Sequence, residues 1–172
     1  MSGFTIVELL VVIVVIGILA GLVLNSFSGA QGRARDAKRK TDIRTLTTAL
    51  EIYYAENGQY PSGPLGSTVI DGSWATTLDA SWQPLMNTLK SSGASEQITD
   101  PKPDGKAAIS GGFSYDYYGF RNNLYCGVGP GQGYILVYRL ETEKPADTLI
   151  GDCSTGTNII YPSGVNYRVV RN

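Results

Sequence analysis

One acidic residue stands inside an otherwise apolar segment near the start of the chain. Glu8 is the only charged residue between Phe4 and Leu24, and this stretch has about the 20 residues that a helix needs to cross a hydrocarbon core. A carboxylate placed there costs roughly 2.5–3.5 kcal/mol on insertion scales. Unless Glu8 simply reaches from a helix end to the lipid headgroups, an ionisable residue within this apolar segment predicts a functional role.

A single long helix must position this carboxylate. Backbone groups in lipid have to be satisfied within their own segment, which predicts a helix from Phe4 onward. Beyond the apolar run, large side chains recur at spacings of three and four and form one face, at Ile43, Leu46, Leu50 and Tyr53. Asn57-Gly58, with Pro61 just beyond, predicts the end of the helix.

A pair of glycines lies on the apolar part of this helix. Gly17 and Gly21 form a Gly-x-x-x-Gly pattern, which allows a second helix to approach closely. Glycine is also common in membrane helices, so chance is the alternative explanation of the pattern.

The first residues match a known processing motif. Gly3-Phe4-Thr5-Ile6-Val7-Glu8-Leu9-Leu10 resembles the motif of type IV pilins and of their relatives, the type II secretion pseudopilins and competence pilins. The resemblance implies cleavage by a prepilin peptidase between Gly3 and Phe4, and N-methylation of Phe4. It also implies that Glu8 pairs with the free N-terminal amine of a neighbouring subunit as a filament grows.

The resemblance continues through the exposed half of the helix, over the runs Ala34–Arg44 and Asn57–Pro61, and so covers the first third of the chain. It implies a leader at 1–3, a transmembrane and assembly half of the helix at 4–27, and an exposed half at 28–57. A connecting region with a short helix is expected at 58–112. An antiparallel sheet with a disulfide-closed C-terminal region is expected at 113–172.

The fold class expected is α+β, with the long N-terminal helix packed on a small antiparallel sheet of three to five strands. Leu78, Trp82, Leu85 and Leu89 fit one face of a short helix, with Gly93 as its stop. From Phe113 the pattern changes to the period of two that is typical of strands. The strand candidates are Phe113–Tyr117, Tyr134–Arg139, Ile159–Tyr161 and Tyr167–Val170.

The chain has two cysteines, Cys126 and Cys153. Their expected bonding state follows from the compartment that the resemblance implies. In a domain exported across the membrane, an even pair most simply forms one disulfide. Closing that loop stabilises the fold by roughly 3–4 kcal/mol in the chain-entropy model. Two free buried thiols are the alternative.

The stretch from Arg33 to Arg44 carries six basic residues against two acidic ones, whereas the remainder of the chain is net acidic. Three interpretations remain open. The stretch forms a solvated helix face with Asp36 and Asp42 as partners three or four residues away, it attracts anionic headgroups, or it pairs with acidic surfaces of neighbouring subunits. DNA binding is a further option that nothing in the sequence supports.

Most catalytic chemistry is excluded. The chain has no histidine, which removes the usual serine triad and the commonest metal ligand. The glycine-rich run Gly127–Gly133 fails the spacing of a phosphate-binding loop and predicts a hairpin loop. Asp100, Asp104 and Asp116 are the only candidate calcium ligands, and no ligand spacing supports them. We therefore expect no enzyme activity, no cofactor and no metal.

Taken together, these features predict a structural subunit of a type IV pilus. The precursor is expected to span the inner or cytoplasmic membrane once. After cleavage by prepilin peptidase it would polymerise with copies of itself, through the pilus or type II secretion assembly machinery, into an extracellular filament. The alternatives are a type II secretion pseudopilin or competence pilin and, outside the family, a secreted or singly anchored binding domain. In that last case the first segment would be a tether or a signal peptide cut after Ala30.

Overall fold

The computed structural model describes residues 3, 5–63, 65–94, 98–121, 128–143 and 166–171, and residues 22–28 and 166–171 by their backbone alone. The elements follow the order α1 (Ile6–Asn57), β1 (Ala75–Thr76), α2 (Trp82–Leu89), a 3₁₀ turn (Ala108–Ser110), β2 (Asp116–Gly119), β3 (Gly133–Tyr138) and β4 (Asn166–Arg171). The predicted α+β class, with a long helix first and a small antiparallel sheet after it, is confirmed.

Helix α1 spans 52 residues, on the order of 80 Å at 1.5 Å per residue. It ends where the sequence predicts. Gly58 adopts the left-handed conformation with φ 69°, and its N–H donates to the Tyr54 carbonyl at 2.7 Å. Only glycine reaches this conformation without strain. The Asn57 side chain donates to the Tyr53 carbonyl, so the last turn is closed by side chain and backbone together.

The sheet is fully antiparallel in the order β1-β2-β3-β4. Tyr117 of β2 lies between Ala75 of β1 and Leu136 of β3. On its other side, β3 pairs Ile135 with Val169 of β4. The sequence predicts β3 and β4 to within one residue at each end. The strand predicted at Phe113–Tyr117 begins only at Asp116, and the one predicted at Ile159–Tyr161 lies outside the described residues. Strand β1 has only two residues and no periodicity to reveal it.

The main core lies between α1, α2 and one face of the sheet. Tyr115, Tyr117, Tyr134 and Leu136 point towards the helices, because alternate residues of a strand share a face. They pack with the buried α1 and α2 residues Ile43, Leu46, Leu50, Leu85, Met86 and Leu89. The prediction that the sheet covers the Ile43–Tyr53 face of the long helix is therefore confirmed.

The opposite face of the sheet is covered by loops. Tyr118, Phe120, Ile135 and Val137 form a second cluster with Ala108, against which Trp74 and Val128 pack. At the sheet edge, a Cβ added to Gly119 would lie only 1.9 Å from the Pro61 carbonyl oxygen. Glycine is thus required where the segment after α1 crosses β2.

The short helix α2 begins at Trp82 rather than Leu78. Leu78 lies in the turn before the helix, where its N–H donates to the Thr76 hydroxyl at 3.4 Å. Trp82 is buried, and its indole N–H donates to the Ile98 carbonyl at 2.9 Å. Trp82 therefore anchors the start of α2 in the core.

Candidate functional site

The Glu8 carboxylate closes the first turn of α1. Thr5 precedes the helix in extended conformation, and its N–H and hydroxyl both donate to Glu8 Oε2, at 2.9 and 2.8 Å. In return, the Glu8 N–H donates to Thr5 Oγ1 at 3.3 Å. This reciprocal pair is a capping box, and a negative charge in the first turn also suits the helix dipole. The Thr-x-x-Glu spacing of Thr5 and Glu8 is the sequence signal of such a capping box.

The first turns of α1 form an uncovered apolar surface, which we call the apolar face. Every residue from Ile6 to Gly21 is exposed, and the large side chains range from 48% exposed at Val15 to 83% at Ile6. Soluble monomers rarely expose contiguous apolar patches above a few hundred Å². Within the residues that the structure describes, no helix has the length and apolar composition needed to cross a membrane. The apolar face is of the kind that marks an interaction surface.

The two glycines of the Gly-x-x-x-Gly pattern belong to this surface. A Cβ added to Gly17 or Gly21 would meet no atom within 4 Å. Packing within the described part of the chain therefore does not require glycine at either position. Their use in close helix packing remains a prediction.

A buried arginine holds the middle of α1 to the rest of the domain. Arg39 is fully buried, and its Nε and Nη2 donate to the two carboxylate oxygens of Asp100 at 2.7 and 2.9 Å. Its Nη1 donates to Asp36 at 2.9 Å and to Glu141 at 2.7 Å. The guanidinium also lies 4.6 Å from the centre of the Phe113 ring. We call Arg35, Asp36, Arg39, Asp100 and Glu141 the charge clamp.

The clamp ties the segment after β3 to the helix. Asp36 accepts hydrogen bonds from the N–H groups of Glu141 and Thr142, at 2.9 and 2.8 Å, and from the Thr142 hydroxyl at 2.7 Å. Arg35 donates to both carboxylate oxygens of Glu141 at 2.6 Å. The hydrogen bonds from Arg35, reinforced by Arg39, lower the pKa of Glu141 to about 2. Burial opposes ionisation of Asp36, but its hydrogen bonds with Glu141, Thr142 and Arg39 outweigh burial and lower its pKa.

Comparison with known proteins finds relatives that match part of this chain. It is 43% identical over 65 residues to the type II secretion system core protein G of Aeromonas hydrophila, a match that covers 38% of this chain and 46% of the relative. Identity to the protein of the same name from Pseudomonas aeruginosa is 40% over 65 residues, with the same coverage. The type IV major pilin protein PilA of Myxococcus xanthus is 36% identical over 58 residues, 34% of this chain and 26% of the relative.

These relatives support an assignment to the type IV pilin and pseudopilin family. The matches span less than half the length of each of these relatives. No family model matches the chain. No solved structure matches it either. The similarity thus rests on just over a third of the chain.

The basic run from Arg33 to Arg44 is largely paired with acidic groups of the same chain. The predicted helical pairs are present, from Arg39 to Asp36 and from Lys38 to Asp42. The prediction of a solvated face is wrong for Arg39, which is fully buried. Lys40 pairs with Glu143 at 2.5 Å. The long-range partners come from loops that sequence spacing does not connect to the helix.

The candidate calcium ligands do not meet. Asp100 binds Arg39, whereas Asp104 accepts the N–H groups of Lys106 and Phe113. Asp116 accepts the hydroxyls of Thr76 and Ser114 and the N–H of Ile109, and burial raises its pKa despite these bonds. Among the described residues, no three acidic or cysteine side chains gather as metal ligands.

Of the remaining predicted site residues, the structure describes one and leaves three outside the described ranges. Gly3 is exposed just before the capped turn. Phe4, Cys126 and Cys153 lie outside the described residues, as does the start of the glycine-rich run at Gly127. Cleavage, methylation and the disulfide therefore remain predictions.

Proposed function

We propose that this chain is the structural subunit of a pilin-type filament. Its precursor would be stored in the inner or cytoplasmic membrane, cut between Gly3 and Phe4 by a prepilin peptidase, and polymerised through the apolar face. The observation that carries the proposal is the apolar face itself, uncovered over the whole run from Ile6 to Gly21 with Glu8 as its one carboxylate. Lipid and neighbouring helices are both apolar, so the same surface suits storage and assembly.

We propose that Glu8 makes assembly selective for processed copies of the chain. In the single chain its carboxylate is held by the Thr5 N–H and hydroxyl, and these neutral donors leave its charge uncompensated. Cleavage after Gly3 would create a positive amine on Phe4. An amine of one copy beside Glu8 of another would compensate both charges within the apolar bundle, where an unpaired charge is costly. Only processed copies carry that amine, so assembly would be limited to them.

The filament type is the finer part of the proposal. Our first hypothesis is that the chain is a subunit of a type IV pilus. A type II secretion pseudopilin is the second candidate, because the core G proteins match at 43% and 40% identity and the major pilin at 36%. Electron microscopy of sheared surface material separates the two, since a pilus gives long filaments and a pseudopilus short ones.

The processing step is tested by the intact mass of the chain from cells that express the peptidase. We expect loss of Met1-Ser2-Gly3 and the added mass of one methyl group. Cleavage after Ala30 would instead identify a signal peptide, and an uncut chain would identify a tether. Either result contradicts the proposal.

The assembly step is tested with Glu8→Gln, which keeps a hydrogen-bond acceptor for the Thr5 cap but removes the charge. Thr5→Val is the matched control, because it removes the hydroxyl of the cap and keeps the charge. We expect both variants to insert in the membrane, and only Glu8→Gln to lose filaments. Loss of a capping side chain costs about 1 kcal/mol, which the long apolar helix tolerates. Normal filaments from Glu8→Gln would refute the role of the charge.

A further inference from the structure

A groove runs along α1 on the domain half of the helix. It is open, has a volume of about 350 Å³, and lies between one α1 face and the turn after α2. Its α1 side consists of Thr41, Arg44, Thr45, Thr48, Ala49 and Ile52, and its other wall of Ser92 and Gly93. The α1 positions recur at spacings of three and four, so they form one continuous stripe. We call this the α1 groove.

Two features of the α1 groove are unusual for a solvent-exposed surface. Ile52 is 41% exposed although it is large and apolar. Ser92 is buried, and its hydroxyl has no hydrogen-bond partner among the described residues. A buried hydroxyl without a partner is costly. A segment seated in the groove would also take the Ile52 side chain out of water, which is favourable. The exposed Arg44 adds a positive charge to the same stripe.

The same chain carries a projection of complementary chemistry. Val69 is 47% exposed, and Asp71 is exposed two residues later. In the described part of the chain, Val69 and Ile52 are the only large apolar side chains classed as exposed outside the apolar face. We call residues 68–71 the Val69 loop. Its apolar tip and neighbouring carboxylate match the exposed isoleucine and arginine of the α1 groove.

The Val69 loop is held in a fixed shape. Asp79 Oδ2 accepts the N–H groups of Thr68 and Val69 and the hydroxyl of Ser67. The Ser67 oxygen in turn accepts the Ile70 N–H at 3.1 Å, and the Gly66 N–H donates to the Gly72 carbonyl at 3.0 Å across the base of the loop. A fixed loop loses little conformational entropy on docking.

We propose that the Val69 loop of one copy of this chain docks into the α1 groove of the next copy. This inference rests on the proposed filament, because it supplies a second contact between subunits besides the apolar face. The Val69 loop and the α1 groove are different surfaces, so the contact between copies is head-to-tail. Such contacts propagate into open helical arrays when the rotation from copy to copy does not close a ring. In the dock, Val69 packs on Ile52, and Asp71 pairs with Arg44.

The contact is too small to hold two copies together unaided. A loop of a few residues buries far less than the ~1,200 Å² of a stable interface. Once the helices have joined two copies, however, the local concentration of the loop near the groove is high. We therefore assign the dock a role in fixing the rotation and spacing of neighbouring domains.

The occupant of the α1 groove is identified by placing a benzophenone amino acid at position 52 of the full chain, in cells that assemble the filament. After illumination of sheared filaments, we expect a dimer whose cross-linked peptide contains residues 68–72. The same label at the exposed Lys102 serves as the control and should not capture that peptide. A cross-link to another segment, to a different protein or to lipid overturns the proposal, and so does the absence of a cross-link in intact filaments.

The charge pair is tested by a double-mutant cycle on Arg44→Gln and Asp71→Asn. Asparagine keeps the acceptor that binds the Ser73 N–H at 2.8 Å, so the loop retains its shape. We expect each single variant to lower the detergent resistance of filaments several-fold, and the double variant to lower it no further. Lys102→Gln combined with Asp71→Asn is the matched control, with the effect of Asp71→Asn alone. Additive losses from Arg44→Gln and Asp71→Asn refute the pair. If the wild type forms no filaments, the proposed function fails instead.

Discussion

Replacement of Arg39 by methionine tests how the charge clamp holds α1 to the domain. Methionine has a similar length and no charge, so the change leaves the carboxylates of Asp36, Asp100 and Glu141 without this partner. Asp36 and Asp100 are 2% and 4% exposed. Removal of one partner from a buried ion pair costs about 3–5 kcal/mol, because a buried charge is left uncompensated. We expect a loss at the upper end of this range, since Arg39 serves three acidic groups.

Lys38→Met is the matched control on the same helix. Lys38 pairs with Asp42 at 2.8 Å, but its side chain is 51% exposed. An exposed pair contributes roughly 0–1 kcal/mol, so the two variants should differ by at least about 2 kcal/mol. For a chain of this size 1 kcal/mol corresponds to about 2–4 °C in Tm. Arg39→Met should therefore melt on the order of 10 °C below the wild type, and Lys38→Met within a few degrees of it.

The assay is urea and thermal unfolding of the full chain in a mild detergent, followed by tryptophan fluorescence. Trp82 is a suitable reporter because it is buried next to Ile98. Equal losses of stability in Arg39→Met and Lys38→Met would refute the reasoning, since they would mean that burial of the guanidinium adds nothing. A stable Arg39→Met variant with a normal midpoint would refute it more strongly.

Two further predictions concern acid stability and close packing. The folded pKa of Glu141 is about 2 and that of Asp36 is lowered, so their contribution is complete above the unfolded pKa of about 4. It is lost as the pH falls towards 2, and urea midpoints measured from pH 7 to 2 should fall over that interval, less steeply for Glu141→Gln. Gly119→Ala would place a Cβ 1.9 Å from the Pro61 carbonyl oxygen and should cost about 1–3 kcal/mol or more. Gly72→Ala, where no atom lies within 4 Å, should change the midpoint little. Equal midpoints for the two glycine variants, or a flat pH profile, would contradict these expectations.

The long helix and its end were predictable because their signals are local. The spacing of Ile43, Leu46 and Leu50 indicates the buried face, and Gly58 takes the left-handed conformation that the Asn-Gly pair suggests. The alternation along β3 likewise predicts which of its residues share a face. In each case the residues that carry the signal are neighbours along the chain.

The charge clamp was not predictable from spacing. Arg35 and Glu141 are separated by 106 positions, and Arg39 and Asp100 by 61. A basic run on a helix usually faces solvent, and only the fold shows that two loops converge on it. The strand expected to begin at Phe113 begins at Asp116 instead. Local hydrogen bonds to side chains hold the preceding residues, since the Phe113 N–H donates to Asp104 and the Ser114 hydroxyl donates to Asp116.

The capping box at the start of α1 has a consequence for the order of events in maturation. Thr5 and Glu8 both lie beyond the proposed cut between Gly3 and Phe4, so their three mutual hydrogen bonds can form in precursor and product alike. The first turn would then be shaped before the peptidase acts, and cutting would add a positive charge to an already finished helix end. Maturation would change the charge of this terminus without refolding it.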